Sequence, residues 1–147
     1  MSKFIYFPSF SAGAMGSSLA KNVKLKNDLS IRFYSDEFPE KYRHTDILIT
    51  AGHHFKKDDY KNDLGLTDKN LVMGDSGGYQ IASGAIKWDM SIRERIFNWL
   101  EHNSDIAMNL DIPPKIKYEG MYEECLKISK DNFKYFADNQ TGKTDFL

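Results

Sequence analysis

The chain has 147 residues, of which 41% are hydrophobic and 28% charged, with 20 basic residues, 21 acidic residues and one cysteine. This composition predicts a folded domain and excludes an intrinsically disordered chain. No run approaches the roughly 18 apolar residues of a membrane span, and the first residues lack the pattern of a secretion signal, so we expect a cytoplasmic protein that does not bind membranes. A single cysteine excludes an internal disulfide, and a net charge of −1 gives no overall attraction to nucleic acid.

Short apolar runs alternate with polar, helix-like stretches, which is typical of βαβ units and predicts an α/β fold with a mainly parallel sheet. The helix-like spacing of apolar residues predicts one helix over residues 91–103, with Ser91 as its N-cap, and a second over residues 122–138. The mixed-charge run of residues 56–70 predicts a solvated loop or a frayed helix. The predicted strands are residues 3–7, 47–50, 71–74 and 106–110, with residues 31–34 as a candidate fifth.

Several patterns that resemble chemical sites have a simpler structural explanation. The small-residue loop of residues 11–18 matches no phosphate-binding template, and the TGKT sequence of residues 141–144 follows a helix rather than a strand. His53 and His54 would point to opposite faces of a strand, which argues against a shared metal ion. We expect Cys125 to fill the core, and we expect solvated surfaces at the other charged clusters, which are Glu123 with Glu124 and Lys21 with Lys24 and Lys26.

One segment carries more chemical information. Residues 75–80, with the sequence DSGGYQ, directly follow the apolar run LVMG. In a parallel α/β protein this position is the C-terminal edge of a strand, where such folds place their reactive groups. Gly77 and Gly78 allow the backbone to approach a flat ligand, and the ring of Tyr79 can stack on it. The alternative is an ordinary DSGG turn with a capping Asp75.

A second acidic residue follows the next predicted strand. Asp111 ends the run IAMNL and precedes Pro113 and Pro114, so we expect it beside the strand end that carries Asp75. Two carboxylates at neighbouring strand ends, close to Tyr79, can accept hydrogen bonds from the N–H edge of a planar nitrogen heterocycle. These residues predict a pocket for a purine-like base.

The stretch LVMGDSGGYQIASG, followed by SDIAMNLDIPP, resembles the tRNA-guanine transglycosylase superfamily over about residues 45–115. The resemblance implies a partial (β/α)8 barrel, about the first four βα units, and the exchange of guanine for a 7-deazaguanine-type base in tRNA or DNA. It implies that Asp75 contacts the base and handles its proton, and that Asp111 recognises the amino and ring N–H edge. Tyr79 would stack on the base, while the remaining contacts would come from Ser76, Gly77, Gly78 and Gln80.

The chain also departs from that family. A barrel needs about 250 residues, and the family's Asp nucleophile, base-facing glycine-rich loop and Cys/His zinc site have no counterpart here. Ala51 stands where the family pattern leads us to expect a polar residue that could hold Asp75.

We therefore expect one domain, residues 1–147, that is a fragment or half of a split enzyme. It would assemble with a second-half polypeptide, carry no cofactor of its own and be inactive alone. Three alternatives stay open: a shortened independent fold, a non-catalytic module that binds a purine or nucleic acid, and an unrelated α/β enzyme with a strand-end acid pair.

Overall fold

A computed structural model describes residues 6–9 and 14–147 of the chain. These residues contain a parallel sheet of four strands, in which every neighbour in the sheet is also the next strand in the chain. Parallel neighbours require crossover connections, and helices supply them. The α/β class predicted from the sequence is confirmed. The strands are β1 (Ile47–Thr50), β2 (Val72–Asp75), β3 (Ile106–Ala107) and β4 (Asp145–Phe146).

The two predicted helices are confirmed to within one residue at each end, because their apolar residues recur at helical spacing. The predicted cap is wrong. Asp89 is the N-cap residue, and its Oδ1 accepts hydrogen bonds from the backbone N–H of Ile92 at 3.0 Å and from Ser91 Oγ at 2.6 Å. The helices of the described residues are α1 (Ala14–Ala20), α2 (Ala51–His54), α3 (Tyr60–Asp63), α4 (Gly78–Ala82), α5 (Met90–Asn103) and α6 (Tyr122–Asn139), with short 3-10 helices at Glu40–Tyr42 and Ile116–Tyr118.

The strand predictions are correct for β1, one residue out of register for β2 and too long for β3. β1 has the predicted bounds, and β2 begins and ends one residue later than predicted. The predicted strand over residues 106–110 is too long. β3 ends at Ala107 because the carbonyl of Asn109 accepts from the Ser76 hydroxyl at 3.1 Å and from the N–H of Asp111 at 3.1 Å, so the backbone turns away from the ladder.

Residues 31–34 form turns rather than a fifth strand, because the N–H of Phe33 bonds to the nearby Ile31 carbonyl. Residues 3–5 of the first predicted strand lie outside the described residues, and residues 6 and 7 are not in a strand. The charged run of residues 56–70 contains the one-turn helix α3, whose Tyr60 is buried.

The core lies between the sheet and the helices. Ile49, Val72 and Ala107 pack from the strands against Ile96 and Leu100 of α5. Phe146 of β4 stacks on Phe97 of α5, with ring centroids 5.5 Å apart, and this contact positions the fourth strand. Cys125 is buried with a free thiol, as predicted. No helix in the described part of the chain is long and apolar enough to cross a bilayer.

Candidate functional site

The DSGGYQ segment joins the end of β2 to the start of α4. Ser76 is only 1% exposed, and its hydroxyl donates a hydrogen bond of 3.1 Å to the carbonyl of Asn109, in the segment that follows β3. Gly77 adopts a left-handed conformation, with φ of +83°, and α4 begins at the next residue. The segment is therefore fixed to the neighbouring strand end by a buried polar contact.

The two glycines of this segment pack against protein backbone on both sides. A Cβ at Gly77 would lie 2.4 Å from Gly52 Cα, and a Cβ at Gly78 would lie 1.7 Å from the carbonyl oxygen of Asp111. Only glycine allows such an approach. The structure thus uses both glycines to bring α2, the turn and the segment after β3 together. Their expected contact with a flat ligand stays a prediction.

The two acidic residues flank these glycines. The carboxylate of Asp75 accepts a hydrogen bond of 3.3 Å from the N–H of Gly77, and Asp111 Oδ1 lies 3.3 Å from the Cβ position of Gly78. Asp111 is exposed and Asp75 is half-buried. Both carboxylates therefore reach the same Gly77–Gly78 peptide segment, at the C-terminal edge of the sheet. The bond from Gly77 to Asp75 is also what an ordinary DSGG turn predicts, so it does not by itself indicate a ligand site.

The aromatic ring of the segment faces outward. The side chain of Tyr79 is 56% exposed and makes no hydrogen bond or ring contact with another described residue. A large exposed ring one residue after Gly78 offers a flat surface for stacking.

Gln80 has a partner that the sequence did not reveal. Its side-chain amide lies 3.0 Å from His53 Nε2, and its Oε1 is buried without a hydrogen-bond partner among the described residues. His53 belongs to α2, which follows β1, and Gln80 belongs to α4, which follows β2. The two strands therefore position the two side chains. The sequence shows only that AGHHF follows β1 as GGYQ follows β2, and this does not indicate that the side chains of His53 and Gln80 meet.

Ala51 stands where we expected a polar residue that could hold Asp75. Ala51 is fully buried at the start of α2. Among the described residues, the carboxylate of Asp75 accepts its hydrogen bond from the N–H of Gly77.

The two adjacent histidines have different surroundings. His54 is buried and stacks on Tyr60, with ring centroids 4.0 Å apart, while His53 is exposed. Burial lowers the pKa of His54 to about 4, with smaller contributions from His53 and Lys57. The two histidines therefore differ in environment, and no group of three or more metal-binding side chains occurs within residues 6–9 and 14–147.

A cavity of about 470 Å³ lies on the side of α4 that carries Gln80. Gly52 and His53 of α2 form one wall, and Asp89 and Ile92 at the start of α5 form another. Asp75, Tyr79 and Asp111 do not line this cavity, so it adjoins the acid pair without containing it.

Comparison of the chain with protein-family models, with curated proteins and with solved structures finds no match. The resemblance to tRNA-guanine transglycosylases therefore rests on the motif residues alone.

Proposed function

We propose that this chain binds guanine or a 7-deazaguanine at the ends of β2 and β3, as the base-binding half of a base-exchange transglycosylase acting on tRNA or DNA. The observation that carries the proposal is the approach of Asp75 and Asp111 to the same Gly77–Gly78 segment, which is followed directly by the exposed residue Tyr79. The resemblance of residues 75–80 and 111 to the transglycosylase motifs supplies the reaction type.

The chemistry of the site suits the donor edge of guanine. An ionised carboxylate only accepts hydrogen bonds, and its two oxygens can accept from the ring N–H and the exocyclic amino group of guanine together. Asp111 is the exposed acid and takes this role in the proposal. Asp75, next to the turn, handles the proton of the exchanged base, and stacking on Tyr79 contributes about 1–3 kcal/mol to base affinity.

The strand order supports a barrel segment. In a (β/α)8 barrel, successive strands of the chain are neighbours in the sheet, as they are for β1 to β4. Among the described residues no strand pairs with the outer edge of β4, and an exposed parallel edge normally has to be covered. In the proposal a second-half polypeptide covers that edge and brings the Asp nucleophile, so this chain alone carries out no exchange.

Base binding tests the proposal directly. Guanine and 7-deazaguanine are titrated into the chain by calorimetry, and into the variants Asp111→Asn and Asp75→Asn. We expect each variant to lose at least about tenfold in affinity, equivalent to about 1.4 kcal/mol. The control is Asp46→Asn, which makes the same change just before β1, at the opposite edge of the sheet, and should leave affinity unchanged. Absence of purine binding by the unmodified chain, or equal binding by all variants, would refute the proposal.

A second candidate, a non-catalytic binding module, is favoured by the buried Ala51, because no side chain at that position holds Asp75 for proton transfer. The two functions differ in one measurement, the incorporation of labelled guanine into tRNA and DNA by this chain mixed with a second-half polypeptide. Incorporation that is lost in Asp75→Asn supports the transglycosylase. Base binding with no incorporation in that mixture supports the module.

A further inference from the structure

The cavity beside α4 carries an excess of positive charge. Lys56, Lys87 and Arg95 line it from three different parts of the chain, namely the residues after α2, the loop after α4 and the second turn of α5. Asp89 is the one carboxylate that lines it. A local ratio of three cations to one anion contrasts with the nearly neutral chain, whose net charge is −1.

The three cations have no ion-pair partner among the described residues, although Lys24, Arg43, Lys57, Lys61 and Lys69 each pair with a carboxylate. The single carboxylate of the cavity is already engaged, because Asp89 accepts from the Ser91 hydroxyl and the Ile92 N–H at the start of α5. These hydrogen bonds lower the pKa of Asp89, and the charge of Lys87 adds to the effect. Asp89 is therefore ionised and offsets one of the three cations, which leaves an excess of positive charge at the cavity.

One of the cations is held in place. The guanidinium of Arg95 lies over the ring of Phe55, 5.2 Å from its centroid, and Phe55 also lines the cavity. A guanidinium restrained in this way loses little conformational freedom when its planar fork binds a phosphate through two parallel N–H groups. Lys56 and Lys87 can then approach the same anion as point charges.

α4 connects the cavity to the proposed base site. Gln80 of α4 lines the cavity, and the exposed Tyr79 and the Gly78 that approaches Asp111 precede it in the same helix. A single ligand with a flat base and a phosphate could therefore reach both places across one helical turn.

We propose that this cavity is a phosphate subsite, in which Lys56, Lys87 and Arg95 hold a backbone phosphodiester of the strand whose base enters the site at Asp75 and Asp111. The inference rests on the proposed function for the identity of that base. It adds the place at which this chain holds the phosphodiester backbone of the strand, which the proposed function leaves unassigned.

The test uses single-stranded 12-mers that carry one central guanine, as DNA and as RNA, with binding followed by fluorescence anisotropy at several salt concentrations. We expect Lys87→Gln and Arg95→Gln each to weaken binding by about fivefold or more, and to reduce the slope of log affinity against log salt by about 0.7 for each phosphate that the variant no longer neutralises. Lys134→Gln on α6 is the control, because Lys134 is exposed, carries the same charge and lines none of the cavity. All three side chains that are changed are exposed, so thermal melting should be unaffected.

Further arms separate this inference from the proposed function. A 12-mer in which thymine or uracil replaces the guanine should show the same weakening with Lys87→Gln and Arg95→Gln, while free guanine should bind both variants as tightly as the unmodified chain. Equal binding of 12-mers with and without guanine, weakened by both variants, would support the subsite and refute the base site.

The inference is overturned by any of three results: no binding of the 12-mers at low salt, variants that behave like Lys134→Gln, or displacement of the strand by millimolar inorganic phosphate at constant ionic strength. The last would assign the cavity to free phosphate. A difference between the DNA and RNA arms would identify which strand is the ligand.

Discussion

The DSGGYQ turn and the neighbouring Asp111 divide into two regions with different surroundings. Ser76, Gly77 and Gly78 form an inner region that is buried and packed against Gly52 and against the backbone of Asp111. Asp75, Tyr79 and Asp111 form an outer region, in which an exposed ring and two carboxylates have few protein partners. The contrast shows that half of this motif is explained by packing, so only the outer region carries information about a ligand.

The largest effect should come from filling the space at Gly77. In Gly77→Ala a methyl group would meet Gly52 Cα at 2.4 Å in a left-handed conformation, so we expect a loss of about 3 kcal/mol or more in the free energy of unfolding. Urea denaturation measures it. Gly84→Ala is the matched control, because Gly84 has nearly the same φ, +80°, but its Cβ would meet only Lys117 Cδ, at 4.0 Å. Equal destabilisation in the two variants would show that conformation, and not close packing, requires the glycine.

A smaller loss in the free energy of unfolding should appear at acid pH. α2 supplies Gly52 to the packed region and also the buried His54, whose pKa is lowered to about 4 from an ordinary 6.5. Between pH 6.5 and pH 4 the imidazole of His54 is protonated in the unfolded chain but neutral in the folded one. The free energy of unfolding should therefore fall as the pH drops from 6.5 to 4, by at most about 3 kcal/mol. His54→Phe keeps a ring on Tyr60 and should flatten this dependence, as measured by urea denaturation across that range. His102→Gln, which changes an exposed histidine, should keep it. If His54→Phe lost stability below pH 6.5 as the unmodified chain does, His54 would not be the cause of the pH dependence.

The smallest effect on stability should come from the outer region. Tyr79→Ala removes an exposed ring, so we expect the free energy of unfolding to change by no more than about 0.5 kcal/mol. Guanine affinity should nevertheless fall by about 1–3 kcal/mol, because the stacking surface is removed. Tyr122→Ala removes a ring of similar exposure, 66%, from α6 and should alter neither quantity. A large fall in stability in Tyr79→Ala would mean that the outer region is also structural.

The elements that the sequence predicted well are those whose burial is set by a local pattern. The apolar run of β1 and the helical spacing of α5 and α6 determine their structure without knowledge of distant residues. β4 has only two residues, and it depends on stacking of Phe146 with Phe97, a contact between residues far apart in the chain. The early end of β3 depends in the same way on the hydroxyl of Ser76.

In the candidate site, too, the features set by a local pattern could be predicted and those set by distant contacts could not. The placement of Asp75 and Asp111 at one edge could be inferred, because parallel strands end on the same side of a sheet. The contact between Gln80 and His53 could not, because it depends on how two short helices, α2 and α4, pack side by side. The packing role of the glycines was also hidden, since the backbone segments that need them lie more than twenty residues away in sequence.

Leu147 is hydrogen-bonded to the segment that carries the second acid. The carbonyl of Leu147 accepts hydrogen bonds from the backbone N–H of Asn109 at 3.2 Å and from its side-chain amide at 2.6 Å, two positions before Asp111. An affinity tag or fluorophore fused directly after Leu147 would therefore lie close to the segment that carries Asp111, where the base is proposed to bind. Labels for the experiments above therefore belong at an exposed side chain elsewhere, such as Lys134 on α6.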